Sequence, residues 1–486
     1  MARTRGEPTG DEIITGGPGK PARSLTAPVA IWVVGTVLLA GTSGADLPMG
    51  WSPPERIAVG VWLVWPRVAL DSSGNGIAVW VQFRGPTSAD GADIWASQYT
   101  AGTGWQNAIV IAPGNGTDWG PQLAVNEGGQ AVVFWAQGPS VLAVRFSPSA
   151  GWSHVETVAA RMNLTAAPAV TIDPSGRATA AWVENGHIWS SRFVAGLGWS
   201  VPERVDTGSE MTGAPSLVAE GASSVLAVWS QPTGVWYDVQ ASRWIEGVGW
   251  GVPELLDASD TEAAVYPVIG ASAAGRILVV WRQGIDPYSL WASHYSSDSG
   301  WTAPEQIETL SGSAWLSQLA VDRAGDALVA WVHTSNLSYR FDSVWATRFS
   351  MASGAWTEAI RIDPPGADPP ITGDLSIGVD GSGRGLAAWT TGDQPYVARF
   401  EGVWSPGAAF NQQTFAGGFQ LAVAGDGAAL LLWTSPSGVY ASSFLPTTQN
   451  PEPSITPLIP VAAVGMLVGG IAVTYVLRRR RRTSSK

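Results

Sequence analysis

Between Pro66 and Ser435 short apolar runs alternate with turn residues in a unit that returns eight times. The first copy reads Pro66-Arg67-Val68-Ala69-Leu70-Asp71, a Gly-containing turn, then Ile77-Ala78-Val79-Trp80-Val81-Gln82. Apolar runs this short, rich in β-branched and aromatic residues and bounded by Gly, Asp and Pro, predict strands rather than helices. A tryptophan closes the second run of every copy, at Trp80, Trp135, Trp182, Trp229, Trp281, Trp331, Trp389 and Trp433, 44 to 58 residues apart. A period of this size predicts a solenoid, a propeller or an array.

Each repeat contains four strand-like pieces. An Asp-x-x-Gly turn (Asp71/Gly74, Asp173/Gly176, Asp322/Gly325, Asp380/Gly383) joins the first two. Asp can bond the turn backbone there, and Gly tolerates positive φ. The third piece resembles Ile94-Trp95-Ala96-Ser97-Gln98-Tyr99, and the fourth begins Gly-Trp, as at Gly198-Trp199 and Gly249-Trp250. Four antiparallel strands per unit predict one blade of a β-propeller. The eighth repeat stops at Phe444 without a fourth strand, while Gly50-Trp51-Ser52-Pro53-Pro54-Glu55-Arg56-Ile57 stands alone before the first. A ring closes if this segment is the outer strand of blade eight. The expected fold is therefore all-β, an eight-bladed propeller of four-stranded blades over 46–445; seven and nine blades are the alternatives.

Strand alternation divides the ring into two faces. Loops between strands one and two and between three and four are short and regular. Loops between strands two and three, and between blades, share the opposite face and vary, which is where binding concentrates on a rigid scaffold. That variable face collects the aromatics Trp62, Trp65, Trp119, Tyr266 and Trp315. Two residues after the closing tryptophan stands a polar column, Gln82, Gln137, Glu184, Gln231, Gln283 and His333. Aromatic platforms beside amides and carboxylates suit a carbohydrate or a polar peptide. The competing reading is structural: buried amides bond backbone, and tryptophans plug a channel. A rim column of Arg145, Arg192, Arg243, His294, Arg348 and Arg399 has Glu203, Glu254 and Glu305 eleven residues after Arg192, Arg243 and His294, which predicts exposed ion pairs within a blade. Acidic loop residues such as Asp93, Asp257, Asp260, Asp286, Asp342 and Asp368 are expected as solvated charge.

Charge and termini change the setting. Of 27 basic residues, ten lie before residue 46 or after residue 477. The body keeps 17 arginines against 35 acidic residues, a balance that repels nucleic acid and anionic lipid. There is no cysteine, which excludes disulfides, and the four histidines fall in different repeats without a metal-ligand spacing. No cofactor, metal site or catalytic constellation is expected. Residues 1–45 read as an N-terminal tail with a secretory signal or an uncleaved signal anchor. Residues 446–454 are a Pro- and Thr-rich stalk, 455–477 an uncharged span long enough to cross a bilayer, and 478–486 a basic tail kept inside by its five arginines. The expected partners are the membrane, through that helix, and a glycan or surface-protein ligand. Three sequons, at Asn115, Asn163 and Asn336, match the glycosylation pattern.

Pro451-Glu452-Pro453-Ser454, an apolar span and an arginine cluster resemble the PEP-CTERM sorting signal of bacterial surface proteins, which implies processing by an exosortase-type enzyme. The rhythm strand-Trp-x-Gln, then Gly-x-Gly-Trp, resembles the blades of fungal fucose-binding lectins and, more loosely, sialidase-type propellers. The chain departs from them where those lectins place a sugar-binding Arg in strand two: here stand Ala78, Val133, Ala180 and Ala227. A sialidase Asp-box is not matched. The main functional expectation is a non-catalytic cell-surface ectodomain binding glycans, peptides or neighbouring surface proteins. The alternatives are a glycan-processing hydrolase and a structural envelope component.

Overall fold

The computed structural model describes residues 47–446 apart from 87–89, 115–117, 161–163, 165, 209–210, 258–260, 336–340, 365–370, 393 and 411–417. The N-terminal segment, the 455–477 span, the basic tail and the three sequon asparagines lie outside the described residues.

Eight antiparallel sheets follow one another along the chain, one per repeat. In the first, Leu63–Leu70 pairs with Gly76–Phe83, which pairs with Ala92–Thr100. The outer strand comes in two pieces, Gly104–Trp105 and Ile109–Pro113, both on Ala92–Thr100. The fifth follows the same plan through Ala263–Ala271, Ile277–Gly284 and Tyr288–Ser296. The turn chemistry is as expected: Asp71 Oδ1 accepts from the backbone N–H of Ser73 and Asn75, and Asp173, Asp322 and Asp380 repeat the arrangement.

Blade eight takes its fourth strand from the other end of the sequence. Phe419–Val423, Ala429–Ser435 and Gly438–Phe444 are joined by Glu55–Val59. Trp51 bridges to Phe444, and their rings lie 5.4 Å apart. The same aromatic pair marks other blades: Tyr99–Trp105 at 5.3 Å, Phe193–Trp199 at 5.7 Å and Phe349–Trp356 at 5.1 Å. Trp51 is thus blade eight's copy of the Gly-Trp tryptophan. The innermost strands touch in turn around the ring, and those of blades one and eight meet. There Val68 N donates to Gln420 Oε1 at 2.9 Å. Leu421 N donates to Ser376 Oγ and Ala219 N to Thr171 Oγ1 in the same way. Side chains of one blade thereby occupy the inner backbone edge of its neighbour, which an open sheet would leave bare.

The closing tryptophans are the core. All eight are at most 1% exposed, and each shares an apolar cluster with a neighbouring blade, as Trp135 does with Val79, Val81 and Ile94. Burial of a large apolar side chain is worth ~1.5–3 kcal/mol, so the repeated tryptophan supplies much of the adhesion between blades.

The rim column corrects one expectation. Arg145 does pair with Glu156 of its own blade at 2.5 Å. Arg243, Arg348 and Arg399 also pair within their own blades, with Glu220, Asp326 and Glu401. Several members reach the next blade as well. The guanidinium of Arg192 lies 3.6 Å from the ring centre of Trp244, Arg145 lies 3.7 Å from Phe193, and Arg399 lies 5.0 Å from Phe444. Glu203 and Glu305, expected to pair within the blade, accept from the indoles of Trp244 and Trp356 one blade on. The column thus combines ion pairs within blades with contacts to the next blade.

Candidate functional site

The variable face carries a repeated backbone irregularity. The innermost strands of blades one, two, five and six each lose register near their start, between Val64 and Arg67, Trp119 and Gln122, Val265 and Val268, and Trp315 and Gln318. The residue turned outward by each bulge has positive φ: Trp65 at 51°, Gly120 at 38°, Tyr266 at 55° and Leu316 at 50°. Trp62, in the connection entering blade one, has φ 54°. Glycine adopts this region freely, but a bulky side chain pays ~1–3 kcal/mol for it. The rings so placed are open to solvent, with Trp62 47%, Trp65 39% and Tyr266 68% exposed.

The remaining candidates separate into three groups. Trp119 lies in the inner strand opposite Ala136, and its side chain is outside the described residues. Gln82, Gln137 and Glu184 are half-buried; Gln82 lies against the backbone of Gly60. Gln231 and Gln283 are buried, and their Oε1 atoms accept from the indole N–H of Trp229 and Trp281, each at 3.0 Å. The polar column therefore bonds the closing tryptophan of its own blade at these two positions, rather than a neighbour's backbone. His333 is also buried, its pKa lowered by burial against a smaller opposing pull from Asp342. Trp315 is half-buried, with its ring 6.0 Å from Tyr288 and 6.1 Å from Phe341.

Asp257 is not solvated charge. It is 3% exposed, and Oδ1 accepts from Val239 N at 2.7 Å. Burial first, and the neighbouring Asp238 carboxyl further, push its pKa up to about 6. Asp206, Glu308 and Asp363 hold the same post in other blades, capping Ile188, Leu290 and Val344. These carboxylates cap the third strand of their blade.

Arg282 was not a sequence candidate. It follows closing Trp281 and is 6% exposed. Its guanidinium carbon lies 4.4 Å from the ring centre of Trp315, 4.5 Å from Tyr266 and 5.0 Å from Tyr288. Its Nε is buried without a hydrogen-bond acceptor among the described residues. Desolvation lowers its pKa, opposed only by the two tyrosines. The signal was readable as an exception: the same position in the other copies holds Val81, Ala136, Val183, Ser230, Val332, Thr390 and Thr434.

A second region lies between blades on the regular face. A cleft of about 620 Å³ between blades three and four is lined by Arg192, Trp199, Glu203 and Trp244, and Arg177 and Glu246, which also line it, pair at 2.7 Å. The corresponding cleft between blades two and three measures about 190 Å³.

No family model matches the chain, and no curated protein matches it. Among solved structures it is similar to the polysaccharide lyase Uly1, with a TM-score of 0.45 and 11% identity over 65% of this chain and 88% of that one. A fungal alcohol oxidase of the AA5 family in complex with copper gives 0.43 and 13% over 82% and 92%. AofleA from Arthrobotrys oligospora gives 0.40 and 12% over 64% and 90%. Likeness at this level carries no argument about activity.

Proposed function

We propose that the chain is a surface-displayed binding propeller that engages glycans through the variable face. One observation carries the reading: Trp62, Trp65 and Tyr266 are solvent-exposed rings held at positive φ. At the same bulge blade two uses Gly120. Rings this open to solvent gain little from packing, and such strain concentrates at ligand sites. Flat rings with nearby polar groups suit the mixed C–H and hydroxyl faces of a sugar. Display outside the cell, with the 455–477 span as anchor, rests on the sequence pattern.

The test is a glycan array probed with the full-length chain. Trp65→Ala combined with Tyr266→Ala should weaken binding by ~10-fold, since stacked rings dominate such contacts. Unchanged binding by the double variant would overturn the reading.

A glycan-processing enzyme is the second reading. It is favoured by the adjoining carboxyls of Asp238 and Asp257, one of them raised into the range of a general acid. Their burial, at 4% and 3% exposure, and the capping role of Asp257 place binding ahead of it. Hydrolysis in a broad glycosidase screen, lost in Asp257→Asn, would reverse that order.

A further inference from the structure

We propose that Arg282, with Tyr266, Tyr288 and Trp315, forms a subsite for a single carboxylate on an otherwise neutral glycan, such as one hexuronic acid residue. The proposal rests on the reading of the variable face as a glycan surface and adds the charge that the glycan carries.

The argument begins with cost. Seven blades put a small or apolar residue at this core-facing position, from Val81 to Thr434. All seven are buried, as Arg282 is. A charge taken out of water is expensive unless it is paired. Among the described residues no carboxylate pairs with Arg282 and no hydrogen bond is donated by its guanidinium, whereas Arg177, Arg243, Arg361 and Arg384 each have a carboxylate partner. The rings of Tyr266 and Trp315 lie close to the guanidinium carbon. They supply cation–π attraction but accept no in-plane N–H. The missing partner is a planar oxyanion, which a guanidinium fork matches in two parallel hydrogen bonds.

The neighbouring tyrosine marks where solvent comes nearest to the cation. Tyr266 is the outward residue of a bulge and is 68% exposed, so one ring both contacts the cation and faces solvent. The body then limits the ligand. With 17 arginines against 35 acidic residues over 46–445, it repels a polyanion at long range. One carboxylate among neutral sugars meets the local cation without that penalty.

The experiment compares neutral oligosaccharides with the same backbones bearing one hexuronic acid, using the full-length chain, with oligogalacturonate and a glutamate-rich peptide as further probes. The singly acidic glycan should bind ~10-fold tighter than its neutral parent, the size of one charge-assisted contact. Arg282→Gln should equalise the two while leaving neutral binding in place, and Arg282→Lys should keep part of the difference. If Arg282→Gln does not fold, the wild-type ratio and Arg282→Lys decide. Equal binding of acidic and neutral glycans by the wild type overturns the carboxylate subsite but leaves the glycan surface standing. Binding of neither overturns both. Preference for oligogalacturonate, or for the peptide, overturns the proposal as stated.

Discussion

Arg243 and Arg282 belong to adjacent blades, one half-buried and one buried, and they are treated differently. Arg243 pairs with Glu220, donates to Tyr295 Oη at 2.7 Å and lies 5.2 Å from that ring's centre. Arg282 has rings on several sides and, among the described residues, no acid beside it. Arg192 falls between them: it sits over Trp244, with Asp173, Glu246 and Glu203 all acting electrostatically on it. At the rim, each arginine has acids close by, from its own blade or the next. At the mouth, one is left with its hydrogen bonds unspent. A side chain that repeats down a column is thus explained by the ring, while one that interrupts a column asks for something outside it.

The contrast can be broken from the rim side first. Trp51 is 6% exposed and completes blade eight. Trp51→Ala should cost ~3–5 kcal/mol, read as a lower denaturant midpoint. A comparable loss on truncating exposed Trp62 would erase the distinction between a closing ring and a presented one.

Proton linkage gives the next effect. The folded-state pKa of Asp257 is raised to about 6 from an ordinary 3.8. The folded form therefore holds its proton more tightly, and this stabilisation is complete below pH 4 and lost as pH rises through 6. At 1.36 kcal/mol per unit the span is up to ~3 kcal/mol. Asp257→Asn should flatten thermal stability between pH 4 and 7, whereas wild-type stability already flat across that range would remove the buried carboxyl from the account.

Replacing each arginine with methionine compares the two regions directly. Arg243→Met strands Glu220 and should lower stability by ~2 kcal/mol. Arg282→Met removes an unpaired buried charge while keeping volume and should raise stability by ~1 kcal/mol. Equal losses in thermal melts would mean that Arg282 is structural after all.

The smallest effect concerns the bulge. Tyr266→Gly relieves a φ of 55° but removes a ring from the Arg282 cation, so the two effects should nearly cancel, within ~1 kcal/mol. A loss well above ~1 kcal/mol in thermal melts would show that the ring is held for packing rather than presentation.

The fold was legible because its determinants repeat. Trp80 through Trp433 set the blade count, and the stray Gly50-Trp51 found its place because blade eight lacked that dipeptide. The partners of the rim column were not legible. Sequence distance within a hairpin pointed from Arg192 to Glu203, while the contact runs a full repeat onward to Trp244. Asp257 looked like loop charge because nothing local reveals that its carboxylate caps Val239. Arg282 escaped a search for conspicuous columns because its information lies in departing from one.

The clasp at blade eight also sets how the ring bears load. Glu55 pairs with Ala441 and Val59 with Gly438, so the antiparallel clasp presents residue 51 and residue 444 at one end of the same seam. Tension between those two points peels the seam pair by pair, like a zip. Tension entering through residue 444 alone leaves the seam unloaded. A tether on a single side would therefore let the ring be tugged without being opened.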